Sequence, residues 1–307
     1  MNSEYAIEAR GLTRYFGCGA VVRQLDLKIP HGSVTGLLGL NGAGKTTTLR
    51  MLLGLLEPTR GTCEVLGKNS MALGPEDRAK IGYTVEGHFL YGWMTVRDCE
   101  RFQRDTFPRW NASLFGETIQ RFAIDAAQKV RTLSRGQRAG VSLALTLATE
   151  PELLILDDPA LGLDPVSRRA LNETLIDFCD CGRRTILLSS HLLEDVERVA
   201  DRVAIMVHGR LLVDATVEEF RGRISCWSLD LPPATRYSEL IPGLIHARSL
   251  GGRTVVTVVD ADRETEAAIE RLSQSAAEPL SVTFEDAVLA YLSRSRQSKS
   301  LFVASGV

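Results

Sequence analysis

From residue 5 to about 213, short β-branched or leucine-rich runs alternate with segments whose apolar residues recur at helical spacing. That rhythm predicts a mostly parallel sheet covered by helices. The runs VTGLLG (34–39), LLILD (153–157) and RTILLSS (184–190) are apolar on successive residues. Strands covered on both faces must be so, and these three read as central strands. Ahead of the first, YAIEARGL and VVRQLDLKI alternate apolar and polar residues, which predicts antiparallel strands with one exposed face. Between about 88 and 150 the pattern is helical without strands, an all-helical insertion in the sheet domain. A turn-rich stretch at 214–224, DATVEEFRGRI, marks a boundary. Beyond it, strand patterns SCWSLDL and RTVVTVV and helical patterns RETEAAIERLSQ and TFEDAVLAYLSR predict a small α+β domain. The expected layout is a sheet domain at 1–220 with its helical part at about 88–150, an accessory domain at 224–294, and a loose tail at 295–307.

Composition narrows the function more than the fold. A chain of 307 residues fits about two domains and is large enough to bury a core without disulfides or a structural metal. The net charge of −2 argues against a broadly basic surface, so no nucleic-acid partner is expected. The six cysteines are scattered, and the one close pair, Cys179 and Cys181, lacks the spacing of a zinc or redox motif. Reduced thiols in a cytoplasmic protein are the expectation. The start, MNSEYAIEAR, has no apolar core and does not read as a signal peptide. No apolar run approaches the roughly 18 to 20 residues that cross a bilayer.

Chemistry enters at GLNGAGKTT, residues 39–47, which fits G-x-x-x-x-G-K-[ST] and falls between a predicted buried strand and a predicted helix. Glycines there allow positive φ and let backbone N–H groups surround a polyphosphate. Gly39, Asn41, Gly42, Ala43, Gly44, Lys45, Thr46 and Thr47 are therefore the candidate nucleotide-binding residues. Lys45 would reach the β and γ phosphates, the Thr46 hydroxyl would ligate Mg²⁺, and the helix N-terminus would favour the negative charge. A second signal is LLILDDPALGLDP, 153–165, where a buried strand runs into Asp157 and Asp158. A P-loop NTPase needs a carboxylate at the end of a neighbouring buried strand to hold magnesium through water, the task Asp157 is placed for. Asp158 would orient or deprotonate the attacking water. That the two acids merely cap a loop is the weaker alternative, because a buried strand end is a poor place for unpaired charge.

Between and after these motifs stand LSRGQ (133–137) ahead of a long apolar helix, ALGLDP with Asp164, and LLSSHLLEDVERVADRVAIMVHGR with His191. With these residues in this order, residues 5 to about 220 resemble the ATP-binding subunits of ABC transporters, in the ABC-2 exporter branch. The resemblance implies an α/β fold: a P-loop NTPase sheet domain with an antiparallel β-subdomain and a helical subdomain, followed by a small α+β accessory domain. It implies ATP and Mg²⁺ as cofactors, and a second ATPase subunit, the same or an unlike chain, joined head to tail. It also implies a separate membrane-spanning permease, with this subunit peripheral on the inner face of the cell membrane. Phe16 of RYFG then stands where an aromatic ring stacks on adenine. Glu86 holds the place of the family's Q-loop glutamine, which contacts Mg²⁺ and senses the transporter. Ser134, Gly136 and Gln137 would complete the γ-phosphate site of the second subunit, with Asp164 bridging the two sites. His191 would contact the γ-phosphate and stabilise charge in the transition state.

The sequence departs from the family pattern at several of these positions. Glu86 replaces glutamine, keeping an oxygen ligand while adding a charge, and reads as a marker of the exporter branch. Arg135 replaces the first signature glycine. Asp158 stands where the family has its catalytic glutamate, and one methylene fewer retracts the carboxylate by about 1.5 Å. A misplacement of about 1 Å can cost on the order of 10²-fold in rate, so slow hydrolysis with intact binding is expected. In EGHFLYGWMTV, 86–96, the resemblance makes Phe89, Tyr91, Trp93 and Met94 candidates for a groove that receives a helix of the permease, with the core as the alternative for some of them. Asp158 also keeps open a nucleotide-binding regulatory subunit, or the weakly hydrolysing half of an unlike pair. A soluble ABC ATPase acting on nucleic acid or ribosomes is disfavoured, because there is a single cassette and no long coiled coil between Lys45 and Ser134.

Overall fold

In the computed structural model the alternating first segments pair as a hairpin, β1 (Tyr5–Phe16) antiparallel to β2 (Gly19–Pro30). The structure describes residues 4–85, 87–180, 184–231 and 237–293. Along the chain follow β3 (Val34–Leu38), α1 (Lys45–Leu52), β4 (Arg60–Val65), β5 (Lys68–Asn69), α2 (Pro75–Arg78) and β6 (Ile81–Thr84). Next come α3 (Val96–Thr106), α4 (Ala112–Arg121) and α5 (Arg135–Leu147), with no named strand among them, as the helical pattern predicted. After these come β7 (Leu153–Asp157), α6 (Pro165–Asp180), β8 (Thr185–Ser190), α7 (Leu193–Val199), β9 (Arg202–Val207) and β10 (Arg210–Thr216).

The chain divides after Asp214, into Met1–Asp214 and Ala215–Val307. Within the first unit the hairpin belongs to a four-stranded sheet of order β2-β1-β4-β5, and a six-stranded sheet runs β10-β9-β3-β8-β7-β6. In the latter β3 is parallel to both β8 and β9, and β7 is parallel to both β6 and β8. Every residue of β3, β7 and β8 is buried, which is why these strands are apolar without alternation. Their side chains, among them Leu37, Leu153, Ile155 and Leu187, join Leu49 and Met51 of α1 and Met206 of β9 in one core. Each such fully buried side chain contributes about 1.5–3 kcal/mol. The core thus clamps three parallel strands whose C-terminal ends point to one edge, the place where open α/β sheets bind ligands. One expectation needs correction: β7 is not the immediate neighbour of β3, because β8 lies between them.

The second unit holds α8 (Val217–Gly222), β11 (Ile224–Leu229), α9 (Tyr237–Leu240), β12 (Leu244–Leu250), β13 (Arg253–Val259), α10 (Arg263–Leu272), β14 (Glu278–Leu280) and α11 (Phe284–Ser293). Its sheet has the order β12-β13-β11-β14. The stretch that reads as turn-rich is in fact helical at α8. Thr216 accepts from the Glu219 N–H at 3.1 Å, and Glu219 accepts from the Thr216 N–H at 2.9 Å, a reciprocal cap that starts the helix. Phe220 then packs its ring 5.9 Å from Phe284 and 5.7 Å from Tyr291, within the C-terminal unit. The residues expected to form a tail, 295–307, lie outside those described. Among the described residues no helix is long and apolar enough to cross a membrane.

Candidate functional site

The loop from Gly39 to Gly44 joins β3 to α1 and can take its path only with glycine at its ends. A Cβ on Gly39 would lie 2.7 Å from the Met206 carbonyl oxygen of β9. Gly44 sits at φ 102°, where its Cβ would meet the Val21 carbonyl at 2.8 Å. Lys45, buried at the first turn of α1, folds back so that its Nζ donates to the Gly39 carbonyl at 2.8 Å. The same Nζ lies 3.9 Å from Asp158 Oδ2. Asn41, Gly42, Ala43, Gly44, Lys45, Thr46, Thr47 and Asp158, with Val21 and Leu40, line one cleft of about 280 Å³. Cation and carboxylate therefore face each other beside a loop and helix end that favour anionic oxygens.

The strand ends supply the rest. Asp157 closes β7 and is 1% exposed. Its Oδ1 accepts from the Thr46 hydroxyl at 3.2 Å and the Ser189 hydroxyl at 2.8 Å, while its Oδ2, equally buried, has no hydrogen-bond partner. A buried carboxylate oxygen left unpaired is costly unless a cation or water meets it. Ser189, from the intervening β8, also accepts from the Asp158 N–H at 3.0 Å, so one hydroxyl fixes both acids. Asp158 has the left-handed φ of 47°, rare for a non-glycine residue, which turns its carboxylate back toward His191. Its Oδ1 lies 2.8 Å from His191 Nδ1 and accepts from the His191 N–H at 3.2 Å. Tyr83 of β6 stands nearby; burial, then the negative charge of Asp157, push its phenol pKa up, opposed by Arg50.

Ser134, Gly136, Gln137 and Asp164 form a second cluster. Ser134 caps α5: its hydroxyl accepts from the Gln137 N–H and Gln137 Oε1 accepts from the Ser134 N–H, both at 3.1 Å. A Cβ on Gly136 would fall 2.0 Å from Ser167 Oγ and 3.2 Å from Asp164 Oδ2, so the signature backbone rests directly on the start of α6. Asp164 accepts from the N–H groups of Val166 and Ser167 and from the Ser167 hydroxyl at 2.7 Å. Those bonds from Ser167 hold its carboxyl below the usual carboxylate range. The Arg135 guanidinium packs against Gly162 in the loop that follows Asp158.

Phe16 is not among the residues of the loop cleft; it ends β1 half-exposed, with the Arg14 guanidinium 4.9 Å above its ring. Glu86 lies outside the described residues. Of the aromatic segment, Phe89, Tyr91 and Trp93 are 82%, 64% and 73% exposed. Met94 is 9% exposed and leaves the surface set: its backbone is held between Tyr91 and Val130, and its side chain turns to the core. Sequence reasoning missed Ser189, whose signal was the serine pair interrupting the apolar run RTILLSS. Just ahead of the exposed rings, His88 is 5% exposed, and burial pushes its pKa down.

Comparison with known proteins bears on the family and the fold. Residues 22–161 match the ABC transporter family. The bacitracin transport ATP-binding protein BcrA of Bacillus licheniformis is 32% identical over 219 residues, covering 71% of this chain and 72% of that protein. The daunorubicin/doxorubicin resistance ATP-binding protein DrrA of Streptomyces peucetius is 34% identical over 225 residues, covering 71% of this chain and 68% of that protein. A solved ATP-binding subunit of an ABC transporter superposes with a TM-score of 0.63 at 29% identity, over 71% of this chain and 92% of its own. The MJ0796 cassette, a dimer bound to ADP and phosphate, shares the fold with a TM-score of 0.61 at 19% identity, over 68% of this chain and 98% of its own.

Proposed function

The chain belongs to the ABC transporter ATP-binding proteins, and on that premise we propose that it is a slow ATPase that closes on a second ATPase subunit and drives an export permease. The observation that carries this reading is the convergence of Lys45, Thr46, Asp157, Asp158 and His191 on one edge of the sheet. The family binds and hydrolyses ATP; the proposal concerns how this chain's residues do so.

Mg²⁺ fits the donors present. The unpartnered Asp157 Oδ2 and the Thr46 hydroxyl offer hard oxygens at the loop. Among the described residues no cluster of three His, Cys, Asp or Glu competes for a metal. Mg²⁺ keeps several waters and takes one or two protein oxygens plus phosphates, which is such a donor set. When bound with ATP it would neutralise charge on the β and γ phosphates. Lys45 would exchange the Gly39 carbonyl for phosphate oxygen. His191, its Nδ1 facing Asp158, would present Nε2 to the γ-phosphate. Asp158 would hold the attacking water, and its short side chain, already drawn to His191, supports slow turnover. Phe16 would stack on the base. Ser134, Gly136 and Gln137, preset by the α5 cap, would complete the site of the second subunit, and Asp164 would lie at the seam.

Phe89, Tyr91 and Trp93 form the candidate docking face for the permease, at the inner surface of the membrane. Relatives named for bacitracin transport and drug resistance support export as the direction. The second reading, the weakly hydrolysing half of an unlike pair, is favoured by Asp158 alone. ATP turnover by the subunit, alone and assembled with its membrane subunit, tests both. Asp158→Asn is expected to abolish turnover, and Asp158→Glu to raise it by about 10–100-fold with little change in nucleotide affinity. Turnover that survives Asp158→Asn would refute the assignment of Asp158.

A further inference from the structure

The hairpin of β1 and β2 carries a cleft that shares no lining residue with the one at 39–47. Gly11 and Gln24, in facing strands, both take a left-handed φ, 58° and 45°. The β1–β2 register slips between Ala9 and Leu12 and again between Leu12 and Arg14. Such bulges bend a strand pair, and here Thr13 pins the bend. It is 4% exposed, and its hydroxyl donates to the Gly11 carbonyl and accepts from the Gln24 N–H, each at 3.0 Å. The concavity, about 510 Å³, is lined by Arg23 of β2, Arg60 of β4 and Arg210 of β10, with Tyr15 and Gln24 among its other walls. The two sheets meet there because the Arg23 N–H donates to the Gly209 carbonyl at 2.7 Å, next to Arg210, while Arg60 pairs with Thr13. Arg23 Nε donates to the Ala20 carbonyl at 3.2 Å, which holds that side chain at the cleft wall. Among the described residues none of the three guanidiniums is paired with a carboxylate, and no acid lines the cleft. Asp26 touches it through Gly11, whose N–H its carboxylate accepts at 2.7 Å.

We infer that this cleft is a second anion site, which takes a soluble polyphosphate or phosphate ester between Arg23, Arg60 and Arg210. Three like charges in one concavity repel one another, and the protein wall behind them focuses their field outward, so an anion is drawn in. Each planar guanidinium can meet phosphate with two parallel N–H···O bonds. The volume lies in the range of small-molecule sites, about 300–1,000 Å³. A concave wall suits a ligand that enters, rather than the flat surface of a membrane that offers the same phosphate chemistry. The site is additional to the nucleotide cleft: Val21 lines that one and its neighbour Ala20 this one, while Arg14, stacked over Phe16, lines neither. The inference goes beyond the proposed ATPase and does not rest on the roles given to Asp158 and His191.

The test is calorimetric titration of the full chain with tripolyphosphate at low salt. Lys45→Ala disarms the nucleotide loop, and tripolyphosphate should still bind that chain at a single site. In the same background Arg60→Ala is expected to raise Kd by about ten-fold, as loss of a charge-assisted bond does, with Tm unchanged. Arg104→Ala, which removes an exposed charge from α3, should change Kd by less than about two-fold. Loss of all binding in Lys45→Ala, or equal weakening by Arg60→Ala and Arg104→Ala, overturns the inference. Retention on phosphatidylglycerol vesicles that Arg60→Ala abolishes, with no binding of tripolyphosphate, also overturns it and assigns the arginines to a lipid surface. If the wild type and Lys45→Ala bind tripolyphosphate in equal number, the role given to Lys45 fails, and the comparison of Arg60→Ala with Arg104→Ala still decides the cleft.

Discussion

Replacing Ser189 by alanine removes one oxygen from the centre of the sheet edge and leaves the backbone in place. The hydroxyl donates to Asp157 Oδ1 at 2.8 Å and accepts from the Asp158 N–H at 3.0 Å. The first bond is charge-assisted and worth about 1.5–3 kcal/mol, the second about 1 kcal/mol. The Asp158 N–H keeps a longer bond to the Ser189 carbonyl at 3.2 Å, which discounts the second contribution. The expected loss is therefore about 2–3 kcal/mol for the nucleotide-free protein. With a urea dependence of about 2 kcal/mol per molar, the midpoint should fall by about 1–1.5 M. The assay is urea unfolding of the transition that ATP shifts, with and without Mg²⁺, since the chain has two units and need not unfold in one step. Ser190→Ala is the control: its hydroxyl turns to Leu192, accepting from that N–H at 2.9 Å, rather than to either acid. Ser189→Ala should also weaken the Mg²⁺ dependence of nucleotide binding, and Ser190→Ala should not. Equal effects of the two variants on stability and on Mg²⁺ dependence would refute the view that Ser189 fixes both carboxylates.

Two further outcomes follow from packing and protonation. Gly36→Ala places a Cβ 2.2 Å from Val196 Cγ1, so α7 must shift from β3. A loss of about 1–3 kcal/mol is expected, read as a fall in Tm, with partial recovery in the Gly36→Ala/Val196→Ala double variant. Hydrogen bonds from Ser167 keep the Asp164 carboxyl below its ordinary value of 3.8. The stability it lends is then fully present above that pH and is lost as pH falls through the lowered value. Asp164→Ala should lower stability at neutral pH and flatten the pH dependence of unfolding below about pH 4; an acid profile unchanged by the substitution would count against the cap.

The loop at 39–47, the two acids and the signature were legible because each is a short run whose chemistry depends on neighbours in sequence. The buried strands were legible for a related reason: both faces covered means no alternation. What could not be read was which way a side chain turns within an apolar cluster. Trp93 and Met94 are adjacent and both apolar, yet one is exposed and the other buried, a choice made by the backbone bonds to Tyr91 and Val130. Ser189 escaped notice because strand order is a long-range property, and only the insertion of β8 between β3 and β7 brings its hydroxyl to Asp157. At α8 the polar residues that look like a turn are the ones that cap a helix, Thr216 and Glu219. His88 could not be distinguished from a solvated loop histidine until its burial was known.

The cap at Ser134 bears on how fast two subunits can meet. Ser134, Gln137 and Asp164 are each fixed by bonds within their own chain. In the proposed head-to-tail pair the half-site they would form is preorganised, and the entropy of ordering it is lost during folding rather than on encounter. Association of that pair would then be a rigid-body collision of two finished surfaces, expected at the ordinary rate for protein pairs of about 10⁵–10⁷ M⁻¹s⁻¹. Lifetime, rather than encounter, is left as the quantity that nucleotide can tune.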